Sequence, residues 1–164
     1  MKYEISKYNP CREAIQFRAK YDSFEEAWNA CERGDWMLWL AHQIKVDLRV
    51  LTLAKGRCAE LVIDLLEDER SIKAIKIAIA FGEGKATRKE LDDAADAANA
   101  AADAYADAYA YAATSYVAAV AAEKEIFKKS AQICREVFGD KVTKLLTAEG
   151  GPEALEMLNQ IKTP

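Results

Sequence analysis

The sequence predicts an all-α protein: an irregular helical bundle with one very long alanine-rich helix over about residues 88–138. Three observations carry this. Apolar residues recur at i, i+3, i+4 and i+7 along most of the chain, the spacing of a buried helix face. Only three prolines and seven glycines interrupt 164 residues. Alanine, the best helix former, fills 17 of the 29 positions from Ala94 to Ala122.

Asn9-Pro10 reads as an N-cap followed by proline at the first helical position, opening a short helix through Ala14, Ile15 and Phe17 to about Tyr21. Ser23 and Glu26 form a capping-box pair for a second helix, through Phe24, Ala27, Trp28 and Cys31, that stops at Gly34. Asp35 is placed to cap a third helix beginning Trp36-Met37-Leu38-Trp39-Leu40, whose nearly continuous apolar run marks it as central. A fourth stretch uses Leu48, Leu51, Ala54, Cys58, Leu61, Val62 and Leu65. No strong breaker separates it from the third, so the pattern leaves open whether the two join.

Asp68-Glu69-Arg70 marks a turn. Ile72, Ile75, Ala78 and Ile79 build a fifth helix ending at Gly82 and Gly84. The runs at 61–66 and 72–79 are rich in residues that favour strands, but their helical spacing and the lack of hairpin turn chemistry argue against strands. Thr87 and Glu90 form a second capping box, after which no glycine or proline occurs until Gly139. An uninterrupted helix from Arg88 to Phe138 would be about 75 Å long at 1.5 Å per residue. That exceeds the diameter of a domain this size, so part of it must project, bend or meet another molecule. Lys141–Thr147 and 152–161 read as short closing helices, parted by Gly150-Gly151-Pro152. The whole is one domain over 1–164: a short-helix bundle over 1–84, the long helix over 87–138, and the closing helices over 140–164.

Charge and composition narrow the function. Residues 1–87 carry 14 basic and 14 acidic side chains, and residues 123–164 carry 7 and 7. Residues 88–122 carry 2 and 6, so the net charge of −4 lies in the alanine-rich segment. No basic patch offers itself to phosphates, which argues against direct nucleic-acid binding. No apolar run is long enough for a membrane span and the N-terminus has no secretory pattern, so a cytoplasmic protein is expected. Cys11, Cys31, Cys58 and Cys134 form no CxxC pair, and His42 is the only histidine. No metal, no cofactor and no catalytic residues are therefore expected. Gly82-Glu83-Gly84-Lys85 is too short for a phosphate loop.

Two groups of residues stand out. On a helical wheel Asp92, Asp96, Asp103 and Asp107 share a sector of about 60°, and Tyr105, Tyr109, Ala112, Tyr116 and Val120 one of about 80° on a different side. A core helix with solvated aspartates accounts for this pattern. So does a recognition surface with Tyr105, Tyr109 and Tyr116 as anchors and Asp96, Asp103 and Asp107 facing a basic partner. The second group is the tryptophan segment. Trp36 and Trp39 share a face at i, i+3, and Arg33, Asp35 and Arg70 could pair with each other or with a ligand. An aromatic core with Asp35 as cap is the plainer reading.

Cys11-Arg12-Glu13-Ala14, Glu26-Ala27-Trp28, the run Cys31-Glu32-Arg33-Gly34-Asp35-Trp36-Met37-Leu38-Trp39-Leu40, Cys58-Ala59-Glu60 and Asp68-Glu69-Arg70 occur in that order. With the alanine tract and Cys134-Arg135 after them, they resemble the helical immunity proteins of bacterial polymorphic-toxin systems, which also occur in phage genomes. The resemblance covers about 11–138, and the tryptophan run is its specific part. It implies a non-catalytic inhibitor that neutralises a toxin by direct binding. A phage anti-defence protein, for example a CRISPR inhibitor whose aspartate stripe mimics a nucleic-acid backbone, is the alternative. A small-molecule binder centred on Asp35, Trp36 and Arg70 is a third. A homodimer through the alanine-rich helix is compatible with all of them.

Overall fold

The computed structural model describes residues 5–109 and 116–147, with side chains described except at 6–7, 100–123 and 147. The described residues form helices only, with no strand among them. A 3-10 turn at Ile5–Tyr8 precedes α1 (Arg12–Arg18), α2 (Phe24–Ala30), α3 (Gly34–Gln43) and α4 (Leu48–Glu60). A second 3-10 turn, Ile63–Leu65, leads to α5 (Glu69–Gly82), α6 (Arg88–Tyr109), α7 (Tyr116–Phe138) and α8 (Lys141–Thr147).

Local chemistry sets most of the boundaries. The Ser23 hydroxyl accepts from Glu26 N–H at 3.0 Å while Glu26 accepts from Ser23 N–H at 3.2 Å, completing the capping box of α2. Thr87 and Glu90 do the same for α6, at 2.7 and 3.2 Å. Asp68 caps α5 through Ser71 N–H at 2.9 Å. Gly84, at φ 78°, closes α5 with bonds from Lys85 N–H to Ala80 and from its own N–H to Phe81, the pairing of a Schellman motif.

Several boundaries differ from the sequence reading. Pro10 lies outside α1, because Asn9 takes a left-handed φ of 54° and Cys11 occupies the cap position. α2 stops at Ala30 as Cys31 turns extended. Gly34 does not end a helix but begins α3, with Arg33 at the cap position and Asp35 inside the first turn. The third and fourth helices are separate. Lys45, at φ 56°, closes α3 with bonds from Val46 N–H to Ala41 and from its own N–H to His42. This is the same motif as at Gly84, with lysine in the glycine position, and Asp47 then caps α4. Leu61 to Leu65 leave α4 for the 3-10 turn.

In place of one helix over 88–138, the structure describes α6 with 22 residues and α7 with 23. The six residues between them lie outside the described residues, as does the closing helix expected over 152–161.

The core lies between α2, α3, α4, α7 and α8. Phe24, Trp28, Met37, Leu40, Leu51, Cys134, Phe138 and Val142 are buried there, with Phe138, Cys134 and Val142 at 0% exposure. α5 packs antiparallel on α4: Gly82 faces Leu53, and Ile79 faces Gly56. Arg49 crosses between the two, donating to Phe81 O at 2.5 Å with its guanidinium 4.3 Å over the Phe81 ring. α6 returns along α5, and α7 rests on α3 and α4. Gly34 is required where α3 meets α7. A Cβ there would lie 2.4 Å from Ser130 Cβ and 2.7 Å from Ala131 N, so only glycine lets the backbones approach this closely.

Candidate functional site

The reversal between α2 and α3 is pinned before it presents a side chain. Arg135 on α7 donates to Cys31 O at 2.8 Å, and the Cys31 sulfur accepts from Arg33 N–H at 3.4 Å. Gly34, seated on Ser130, fixes the next residue. Arg33 leaves this loop with little freedom. Its Nε and Nη2 donate to the two Asp35 oxygens at 2.8 and 2.6 Å, a bidentate pair. Its guanidinium lies 4.5 Å from the Trp36 ring centroid and 4.6 Å from that of Phe127, so aromatic rings flank it from α3 and α7. The hydrogen bonds it donates to Asp35 raise the Arg33 pKa further above its already high value. Arg33 is nevertheless 41% exposed.

Around it opens a groove of about 740 Å³, lined by Phe17, Tyr21, Glu32, Arg33, Trp36, Lys124 and Phe127. Phe17 meets the Trp36 ring edge-on at 5.9 Å and Tyr21 at 5.1 Å. Lys128 pairs with Glu32 across the rim at 3.6 Å. Aromatic rings, one rigid cation and the charges of Glu32, Lys124 and Lys128 suit recognition. The N–H groups of Arg33 not used by Asp35 retain capacity for a carbonyl or carboxylate of a partner.

The structure thus brings together Arg33, Asp35 and Trp36 from the sequence candidates, and adds Phe127, Phe17 and Tyr21. Phe127 could have been found from its spacing: with Ser130, Ala131, Cys134 and Phe138 it continues one helix face. Trp39 lies on the wall of an apolar cavity behind the groove. Arg70 does not join this group; it pairs with Asp68 at 2.9 Å at the start of α5. Asp96 is exposed on α6. Asp103, Asp107, Tyr105 and Tyr109 fall within α6 and Tyr116 begins α7, but their side chains lie outside the described ones.

Of the remaining reactive groups, the Cys58 thiol is held below its ordinary pKa, chiefly by its neighbour Cys134. His42 is exposed near the end of α3, with no partner for its ring among the described residues. Burial raises the Cys31 thiol above its ordinary pKa. The Cys134 thiol, which donates to the Gly34 carbonyl, is likewise pushed up by its neighbour Cys58 and by burial. Among the described residues no cluster of histidine, cysteine and carboxylate groups could hold a metal, and no helix is long and apolar enough to cross a membrane.

Compared with family models, curated proteins and solved structures, the chain matches none.

Proposed function

We propose that this chain is a non-catalytic inhibitor of the immunity type, acting in the cytoplasm by binding a protein partner directly. The observation that carries the reading is Arg33, held between Trp36 and Phe127 and locked by Asp35 while 41% of its side chain stays open to solvent. Arginine, tryptophan and tyrosine are the residue types that dominate interface energetics, and they are concentrated in this one groove. Their fixed geometry suits tight binding, because little side-chain freedom remains to be lost. The resemblance to immunity proteins rests on the same run, Cys31 to Leu40. In this reading the tyrosines and aspartates of the alanine-rich segment extend the contact, with Asp96, Asp103 and Asp107 facing basic groups of the partner.

The test is capture from native host lysate by the tagged chain, set beside Arg33→Ala and Phe127→Ala. The expected result is one stoichiometric protein bound by the wild type, its activity blocked, and its affinity cut about 30-fold or more by either substitution. Both variants should melt near the wild type. Equal capture by all three chains, or no inhibition of the captured protein, would remove the reading.

A further inference from the structure

We infer that Cys58 on α4 and Cys134 on α7 are a peroxide-responsive thiol pair that closes into a disulfide tying the two helices together. This goes beyond the protein-binding reading and does not depend on it. α4 and α7 pack on each other, and Cys58 packs against the core cluster that contains Cys134. The Cys58 sulfur reaches the main chain of the facing helix, 3.8 Å from the Ser130 carbonyl oxygen. In an α-helix that carbonyl accepts from the N–H four residues on, so Cys58 stands over the turn of α7 that ends at Cys134. The side chains beside the pair are short. Ala54 lies one turn before Cys58 on α4, Ala131 lies three residues before Cys134 on α7, and both are fully buried. Short side chains let two backbones approach closely, as a disulfide requires, since its Cα atoms lie within about 7 Å of each other.

The two thiols are unequal, and that assigns their roles. Cys134 is fully buried, whereas Cys58 is half-buried and open to a small solute from solvent. Hydrogen bonding with Cys134 and Ser130 holds the Cys58 thiol below its ordinary pKa against the effect of burial, and the thiolate is the reactive form. Cys58 therefore attacks first. Its sulfur bonds to one oxygen of hydrogen peroxide, the O–O bond breaks, and the departing hydroxide takes up a proton as water. Cys58 is then a neutral sulfenic acid, so the negative charge that helped to keep Cys134 protonated is gone. The Cys134 sulfur attacks the Cys58 sulfur, the S–O bond breaks, and hydroxide leaves as water with the Cys134 proton. Both thiols are oxidised by one electron each, and one peroxide is reduced to two waters.

Trypsin places each cysteine on its own peptide: Cys11 in 8–12, Cys31 in 21–33, Cys58 in 58–70 and Cys134 in 130–135. The reduced full-length protein is treated in its folded state with a small excess of hydrogen peroxide at neutral pH. It is then quenched in acid, unfolded, alkylated and digested, and the peptides are identified by mass. The expected product is 58–70 joined to 130–135, lighter than the two free peptides by two hydrogen atoms, with both returned by dithiothreitol. Cys31, buried and with its thiol pushed up, should be recovered alkylated. In Cys134→Ala the same treatment should leave Cys58 as a sulfenic acid that dimedone traps, and in Cys58→Ser it should leave Cys134 alkylated. The inference is overturned if 58–70 and 130–135 are both recovered alkylated at a peroxide dose that oxidises the exposed Cys11, or if Cys58 is oxidised without becoming joined to Cys134. Should either variant melt early, the peptide map of the native chain decides alone.

Discussion

Replacing Gly34 by alanine is expected to destabilise the fold, although the same change in an ordinary helix would stabilise it by about 1 kcal/mol. The sign is set by where the new methyl group would go. It would lie 2.4 Å from Ser130 Cβ, 2.6 Å from the Ser130 carbonyl carbon and 2.7 Å from Ala131 N. Two of these are backbone atoms in the middle of α7, which cannot swing aside as a side-chain tip can. Opening the first contact to 3.4 Å, an ordinary separation, requires a retreat of about 1 Å between α3 and α7. Overpacking of this kind costs about 1–3 kcal/mol, and the displaced interface includes Cys134, which is fully buried. After the helix-propensity gain is subtracted, a net loss of about 2 kcal/mol remains from a clash at the upper end of that range. With a urea dependence of about 2 kcal/mol per molar, the unfolding midpoint should fall by about 1 M. Adding Ser130→Gly removes the shortest contact and should return part of the loss, so the double-mutant cycle should show favourable coupling. A midpoint that is unchanged or raised in Gly34→Ala would refute the claim that the two helices touch at this residue.

Two further outcomes concern stability. Phe138 is fully buried among α2, α7 and α8, so Phe138→Ala should cost about 3–5 kcal/mol in urea unfolding, and a cost below about 1 would contradict its place in the core. On acidification the protein should lose helix-end stability. Asp68 is held below its ordinary pKa chiefly by the Ser71 N–H, Glu90 by the Thr87 N–H, and Asp140 by Lys144. A carboxylate with a depressed folded-state pKa contributes stability that is present above its unfolded value and lost as pH falls through the folded one. The loss should therefore begin below about pH 4.5, where carboxylates start to protonate in the unfolded chain, and Asp68→Asn should flatten the slope measured by chemical unfolding at stepped pH.

The class of fold was legible because apolar periodicity repeats over almost every helix, and the two capping boxes were legible because serine, threonine and glutamate act within three residues of one another. The errors share a physical origin. Gly34 read as a helix stop because a sequence shows glycine's backbone freedom but not the neighbouring helix that demands its lack of a side chain. The break after α3 stays open in the sequence because Lys45, not glycine or asparagine, adopts the left-handed conformation there. Pro10 read as a helix start, although the left-handed Asn9 before it places it outside. In the candidate site, Arg33, Asp35 and Trp36 stood close together in the sequence and were found. Phe127 comes from a helix more than ninety residues away, and no local pattern ties it to Arg33. Arg70 was grouped with them on charge alone, while its partner is the adjacent cap, Asp68.

The geometry of α7 explains why an exposed arginine can be so well fixed. Ala131, Cys134 and Phe138 lie along its buried face, and Phe127 continues that row one turn beyond the core, where it meets Arg33. Arg135 holds the carbonyl of Cys31 from the same helix, and Ser130 bears on Gly34. The loop that carries Arg33 is thus gripped at 31 and 34 by one rigid element, and its side chain is flanked by that element's own phenyl ring. Rigidity at the surface is borrowed from the core, and a partner meeting Arg33 has little ordering cost left to meet. It follows that Gly34→Ala should weaken partner binding as well as stability. A shift of about 1 Å between α3 and α7 would pull Phe127 from the guanidinium without altering any residue of the groove. Arg33→Ala combined with Gly34→Ala should then lose little more affinity than Arg33→Ala alone, because both act on the same anchor. Fully additive losses would mean that the partner does not engage Arg33 through this clamp.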